Sequence, residues 1–359
     1  MDALDRGIPR GMGPGGVWSV GAEELRAVLE RGAAYAVERG YGTEADLEHT
    51  EGRGAVPGAD VDEVGPRALA RGASQVGSLG SGNHFLEVQV VDAVLDDALA
   101  AAFGLHEGQV CVMIHCGSRG LGHQICQDHV ARMLGAMARA TGSRSPTASS
   151  RARRSSPPRG APTSARWRRP RTTAARTGSC SRTRRARRSR AAPSGGATCT
   201  CCYDVSHNLA GLERHEVDGR ERLLLRAPQG GDAGAFPPGH PELPERLPIE
   251  PGQPVLVPGS MGTASYVLAG AEGNEAFASA CHGAGRMMSR HAARRRVRGQ
   301  ELARELEAAG VAVRTRSWRG LAEEAPFAYK DVDEVVRACA GAGLARVVAR
   351  LVPVGVVKA

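Results

Sequence analysis

Gln109-Val110-Cys111-Val112-Met113-Ile114-His115-Cys116-Gly117-Ser118-Arg119-Gly120-Leu121-Gly122 is an apolar run that stops at a histidine and turns through glycines into helix-forming sequence. A strand, a Gly-rich loop and a helix N-terminus in that order aim backbone N–H groups into the loop, which suits a phosphate. The pattern predicts a strand over 109–114 and a helix over 123–138. Upstream, 22–39 predicts one helix with Leu25, Val28 and Leu29 on its apolar face, and 85–91 alternates as a strand. Downstream, 254–257 predicts a strand that repeats this logic at Gly259-Ser260-Met261-Gly262. A helix beginning near Asn274 would carry Cys281-His282 on to about Arg296. Helices at 300–309 and 331–341 and strands at 311–315 and 347–357 complete the reading. The elements mix without regular strand–helix alternation, so the fold class is α+β rather than a doubly wound sheet.

Four histidines sit in comparable signatures. They are His84 in Gly80-Ser81-Gly82-Asn83-His84-Phe85, His115 above, His207 in Tyr203-Asp204-Val205-Ser206-His207-Asn208, and His282 in Cys281-His282-Gly283-Ala284-Gly285-Arg286. Each opens or follows a turn, where sites are commonly built. Neutral imidazole is both a metal ligand and a nucleophile. The bland alternatives stay open residue by residue. His115 could be a satisfied strand-end histidine, and His84 and His207 could serve turns. Cys281 reads as packing, and Arg119 and Arg286 could be surface residues.

These segments, together with Pro258-Gly259-Ser260-Met261-Gly262-Thr263-Ala264-Ser265-Tyr266 and Lys358, resemble the RtcB family of GTP-dependent RNA ligases over about 5–140 and 203–359. The resemblance implies an α+β domain that joins an RNA 3′-phosphate or 2′,3′-cyclic phosphate to a 5′-hydroxyl, as in tRNA splicing or RNA repair. It implies His84, His115 and His207 as ligands of two Mn²⁺ ions, and His282 as the nucleophile that forms a histidine–GMP intermediate from GTP. It implies nucleotide contacts from Asn83, Glu87, Asn208, Pro258, Gly259, Ser260, Met261, Ser265, Gly283, Ala284, Gly285 and Lys358. Arg119 and Arg286 would hold RNA phosphates. An activating partner protein is also possible within that family. Imidazoles suit Mn, Zn or Fe better than Mg, which prefers oxygen. The alternatives are a non-catalytic fragment of such a ligase and a metal-dependent phosphohydrolase using the same histidines.

Charge does not make this argument. The net charge is +9, but residues 143–200 hold 16 arginines and no acidic residue, and removing them leaves −7 for the rest. Any RNA contact must therefore be local. That window contains no Leu, Ile, Val, Met or Phe and cannot bury enough surface to order itself. Only two of the 47 basic residues are lysine, which suits a GC-rich gene, and the window reads as translated out of frame; a basic RNA-binding tail is the other reading. The expected division is 1–142 and 203–359 as two parts of one domain, separated by an anomalous 143–202. Two further departures from the family pattern are expected. Ala227 to Gly234 replaces a basic phosphate-facing segment, or is a harmless turn. An upstream Asp-x-x-Cys ligand pair is absent, as in an N-terminally truncated chain. On that reading the polypeptide would be poorly soluble and inactive. No signal peptide or membrane-length apolar run is readable, and nine scattered cysteines suit a reducing compartment, so a cytoplasmic enzyme without membrane attachment is expected.

Overall fold

The computed structural model describes residues 1–13, 15–55, 59–141, 200–207, 211–226, 233–241, 243 and 251–359. The expectations on most of 143–202, on most of Ala227 to Gly234 and on Asn208 fall outside these residues. The centre is a six-stranded mixed sheet built on strand β10 (Ala345–Lys358). Along one edge β10 pairs antiparallel with β1 (Phe85–Val94), which in turn pairs antiparallel with β2 (Val110–His115). The other edge of β10 is shared. Its first half pairs antiparallel with β7 (Ser265–Gly270), and its last four residues pair in parallel with β9 (Ala312–Thr315). Strand β6 (Pro254–Val257) flanks β7. Outside the sheet, β3 (Gly211–Val217) and β4 (Arg220–Arg226) form a hairpin, and β5 (Ala233–Gly234) pairs with β8 (Ser279–Ala280). Strands from both sides of the 142–199 interval thus join a single sheet, and the α+β class holds.

Apolar alternation accounts for the covering layers. Val267, Ala269, Val348 and Leu351 face Leu99 and Leu105 on one side. Leu302, Leu306 and Leu321 close over Phe85, Val313 and Val356 on the other. Most expected elements are present, but two helices are corrected. The helix over 22–39 is two helices, Ala22–Arg31 and Ala33–Glu38, because Gly32 takes φ 68°. There a side chain would collide with the Gly54 carbonyl. The helix from Asn274 does not form; its only helical part is Arg290–Arg296. Phe277, Ala278 and Gly285 have positive φ, which no right-handed helix accepts. His282 therefore sits on a loop. The Pro258–Gly262 loop likewise leads into β7 and not into a helix.

Candidate active site

Strand register gathers the site at one end of the sheet. His115 and Lys358 lie opposite Phe85 on its two sides, and His84 immediately precedes Phe85. His207 arrives on a segment fastened to the turn at 49–51. Asp204 N–H donates to the His49 carbonyl (2.8 Å), Glu51 N–H to the Asp204 carbonyl (2.9 Å), and Ser206 N–H to Glu51 Oε2 (2.8 Å). His282 follows the short strand β8. The His115 and His207 Nε2 atoms are 3.2 Å apart, and the His207 and His282 rings stack at 4.4 Å. One nitrogen from each of His115, His207 and His282 falls within 4.8 Å of the others. His84 flanks this group, its ring 6.2 Å from that of His115. The Cys116 Sγ lies 3.9 Å from His84 Nδ1.

The electrostatics keep these rings neutral. Burial, reinforced by Arg119 and Lys358, lowers His84 to about 3. Burial and then His207 lower His282 to about 3. His115 falls well below its ordinary value through burial and the neighbouring imidazoles. His207 is also lowered by burial, against a pull from Glu51. Neutral imidazoles with lone pairs converging on one point can hold a cation or attack an electrophile. Gly80 is required here, since a Cβ at that position would overlap the His84 ring.

Beside the histidines runs a buried polar chain. Gly259 N–H donates to Ser265 Oγ (3.0 Å), and Gln89 Nε2 donates both to Ser265 Oγ (2.9 Å) and to Glu87 Oε2 (2.7 Å). Glu87 Oε1 and Gln89 Oε1 are buried without a hydrogen-bond partner among the described residues. Burial pushes the Glu87 carboxyl up to about 8, opposed by Gln89 and Lys358. Burial pulls the Lys358 ammonium down to about 8, opposed by Glu324 and Glu87. Its Nζ lies 5.8 Å from the centre of the Phe85 ring. In the 258–261 loop, Ser260 N–H donates to Thr263 Oγ1 (2.7 Å), and Gly259 is pressed against the Ala264 carbonyl so that a side chain has no room.

Met261 is in the apolar core. Arg286 is committed within the protein: its guanidinium donates to Glu324 (3.0 Å), the Tyr329 hydroxyl (3.1 Å), the Glu323 carbonyl (2.7 Å) and the Met288 carbonyl (3.1 Å). Arg119 donates to Ser78 Oγ (3.1 Å) and to the Gly11 carbonyl, and it holds φ 54°. Such a conformation in a non-glycine residue concentrates at functional sites. Gly283 lies near the Pro258 carbonyl, and the Gly285 carbonyl accepts the Lys330 N–H (3.0 Å). Cys281 packs against the core, as read from sequence. Sequence reasoning missed Gln89, Cys116 and Glu324. Gln89 had a signal, because it is two residues from Glu87 on a strand and so shares its face.

A sheet end lined with neutral imidazoles and backed by a buried carboxylate and lysine defines a site for metal-ion or nucleophilic chemistry. The family model described as tRNA-splicing ligase RtcB matches residues 1–359, and the chain belongs to that ligase family. The RNA-splicing ligase RtcB of Mycobacterium tuberculosis is 50% identical over 361 residues, covering 100% of this chain and 82% of that protein. The tRNA-splicing ligase RtcB of Thermococcus kodakarensis is 47% identical over 369 residues, covering 100% of this chain and 75% of that protein. That of Pyrococcus furiosus is 46% identical over 368 residues, again across 100% of this chain, and 37% of its own length. These matches span the chain on both sides of 143–202. They give no support to the expectation of a truncated, frame-disrupted chain. Among the described residues, no helix is long and apolar enough to cross a membrane.

Proposed function

We propose that this chain seals RNA, joining a 3′-phosphate or 2′,3′-cyclic phosphate end to a 5′-hydroxyl end at the expense of GTP. The observation that carries the reading is the convergence of His115, His207 and His282, with nitrogens within 4.8 Å, in a member of a ligase family. The donor set suits Mn²⁺, because the imidazoles are neutral and keep their lone pairs. His84, His115 and His207 would hold the two ions, which supply positive charge to phosphate oxygens when bound.

The other steps belong to the chain's own residues. His282, uncharged at neutral pH, has a lone pair free to attack the α-phosphorus of GTP, with pyrophosphate leaving. A 2′,3′-cyclic end is first opened by water, which breaks the P–O2′ bond to give the 3′-phosphate; the guanylyl group then passes from His282 to that phosphate, and the 5′-hydroxyl displaces GMP. The orphaned oxygens of Glu87 and Gln89 match a base edge that offers N–H donors once those bonds favour the ionised Glu87 carboxyl, and Ser265 lies in the same chain of hydrogen bonds. Lys358 supplies a partly desolvated cation on the same side. Asn83, Pro258 to Ser260, Gly283, Ala284 and Asn208 would complete the nucleotide contacts, and Arg119 would meet RNA phosphate.

Incubation with GTP labelled at the α-phosphate and Mn²⁺ tests this. The expected result is a covalent label on the wild-type chain that is absent from His282→Ala, with ligation lost in parallel. A label that survives His282→Ala, or phosphate release with no label, would refute it; the latter would favour a hydrolase.

A further inference from the structure

Between Ala276 and Gln300 the chain carries six arginines and no acidic residue, in a molecule that is net acidic outside 143–200. Three of the six are spent on the fold. Arg286 and Arg290 pair with Glu324, and Arg294 with Glu323. Arg295, Arg296 and Arg298 are exposed and make no ion pair among the described residues. The nearest acid along the chain, Glu301, caps the following helix by accepting the Arg298 backbone N–H (3.2 Å).

These three arginines accompany exposed apolar faces. The Arg296 guanidinium lies 5.4 Å from the centre of the Phe327 ring, which is 38% exposed. Met287 is 65% exposed and Trp318 48%. The backbone of Trp318 lies against Gly299, the residue after Arg298, too closely to admit a Cβ there. The strip is also tied to the histidine loop. Met287 N–H donates to the carbonyl of Ala328, the neighbour of Phe327 (2.9 Å), and Arg286 bridges to Tyr329. Pairwise contacts link the residues: Met287 to Ala328 beside Phe327, Phe327 to Arg296, and Gly299 beside Arg298 to Trp318.

We propose that this strip is a track for single-stranded RNA, holding the nucleotides behind the end presented to His282. It rests on the RNA-joining reading above. Aromatic faces accept any base, and unpaired arginines meet the phosphates between them, so such a track binds without regard to sequence. A partner protein would need acids to answer three unpaired arginines, whereas RNA carries one phosphate per stacked base. Continuity with the His282 loop points to the substrate itself.

Fluorescence anisotropy of the full chain with Mn²⁺ and a labelled oligouridylate of about 20 nucleotides bearing a 3′-phosphate tests the track, since about 4–16 nucleotides fill sites of this kind. The combined change Arg295→Ala, Arg296→Ala and Arg298→Ala is expected to flatten the dependence of log affinity on log salt by about 2, at about 0.7 per phosphate contact. Phe327→Ala is expected to weaken binding about fivefold or more, and Phe327→Trp to restore it. In ligation, KM for a long single strand rises in both variants while kcat and the GTP-derived label do not change. Unchanged binding and KM in both variants overturn the track. So does an equal loss toward duplex RNA, an acidic peptide or anionic vesicles, which would mark a nonspecific cationic face. A wild-type chain that binds the oligonucleotide with these sensitivities but neither labels nor ligates refutes the proposed function and leaves the track standing.

Discussion

The Glu87 carboxyl is the group whose environment most departs from water. Wholly buried and answered on only one oxygen, it is held mainly protonated at neutral pH. The sign follows from its raised value. The neutral form belongs to the fold, so this contribution to stability is complete below the unfolded value of 4.5 and is lost as pH rises through about 8. Glu87→Gln removes the titration while keeping the shape. It is expected to match the wild type in urea midpoint near pH 5 and to exceed it near pH 9. The gap should grow by about 1.4 kcal/mol per pH unit between about 5 and 8. Equal midpoints at both pH values would contradict this. A second residue-scale expectation concerns Gly80→Ala. The new methyl displaces the His84 ring, so Mn²⁺ affinity by calorimetry should fall about tenfold or more while the far-UV spectrum is unchanged. The histidines were legible because each is bracketed by glycines or polar turn residues at close spacing. The committed state of Arg286 was not, because its partner Glu324 stands 38 residues away and only tertiary structure joins them.

Among the elements, the helix Arg290–Arg296 shows how local signals mislead and then resolve. Ser289 caps it, accepting the Ala292 N–H at 3.1 Å, and this is where the helix starts, not near Asn274. The apolar residues from Ala276 to Ala284 mimic a helical face, but they pair β8 with β5 and line a turn that brings His282 to the other rings. The strands 85–91, 109–114 and 254–257 were legible from alternation or short apolar runs. Their order in the sheet was not, because pairing between residues more than 200 positions apart leaves no local trace. Ser289→Ala is expected to cost about 1 kcal/mol in denaturant unfolding. It should also loosen Arg290, whose guanidinium contacts Glu324 at 2.6 Å. An unchanged midpoint would mean the cap contributes nothing.

At the scale of the molecule, the neutral imidazoles of His115, His207 and His282, a group that holds no carboxylate among the described residues, leave the site open to cation binding as a source of stability. Adding Mn²⁺ at about 100 times its dissociation constant should raise the unfolding free energy by about 2.7 kcal/mol, seen as a higher Tm. His115→Ala should abolish that rise, and a rise that survives it would place the ion elsewhere. The interval 143–202 stands apart by composition, and described strands on both sides of it join one sheet. The central position of β10 has a further consequence during synthesis. A ribosome delivers Ala345–Lys358 only after β1, β2, β6, β7 and β9 have emerged, and three of these depend on β10 for a neighbour. Until then the nascent polypeptide displays raw strand edges, the form most prone to pairing with other chains. Arrest of translation just before Ala345 should therefore yield an aggregating intermediate, and the rings of His84 and His115 gain their lysine counterpart only once β10 has emerged.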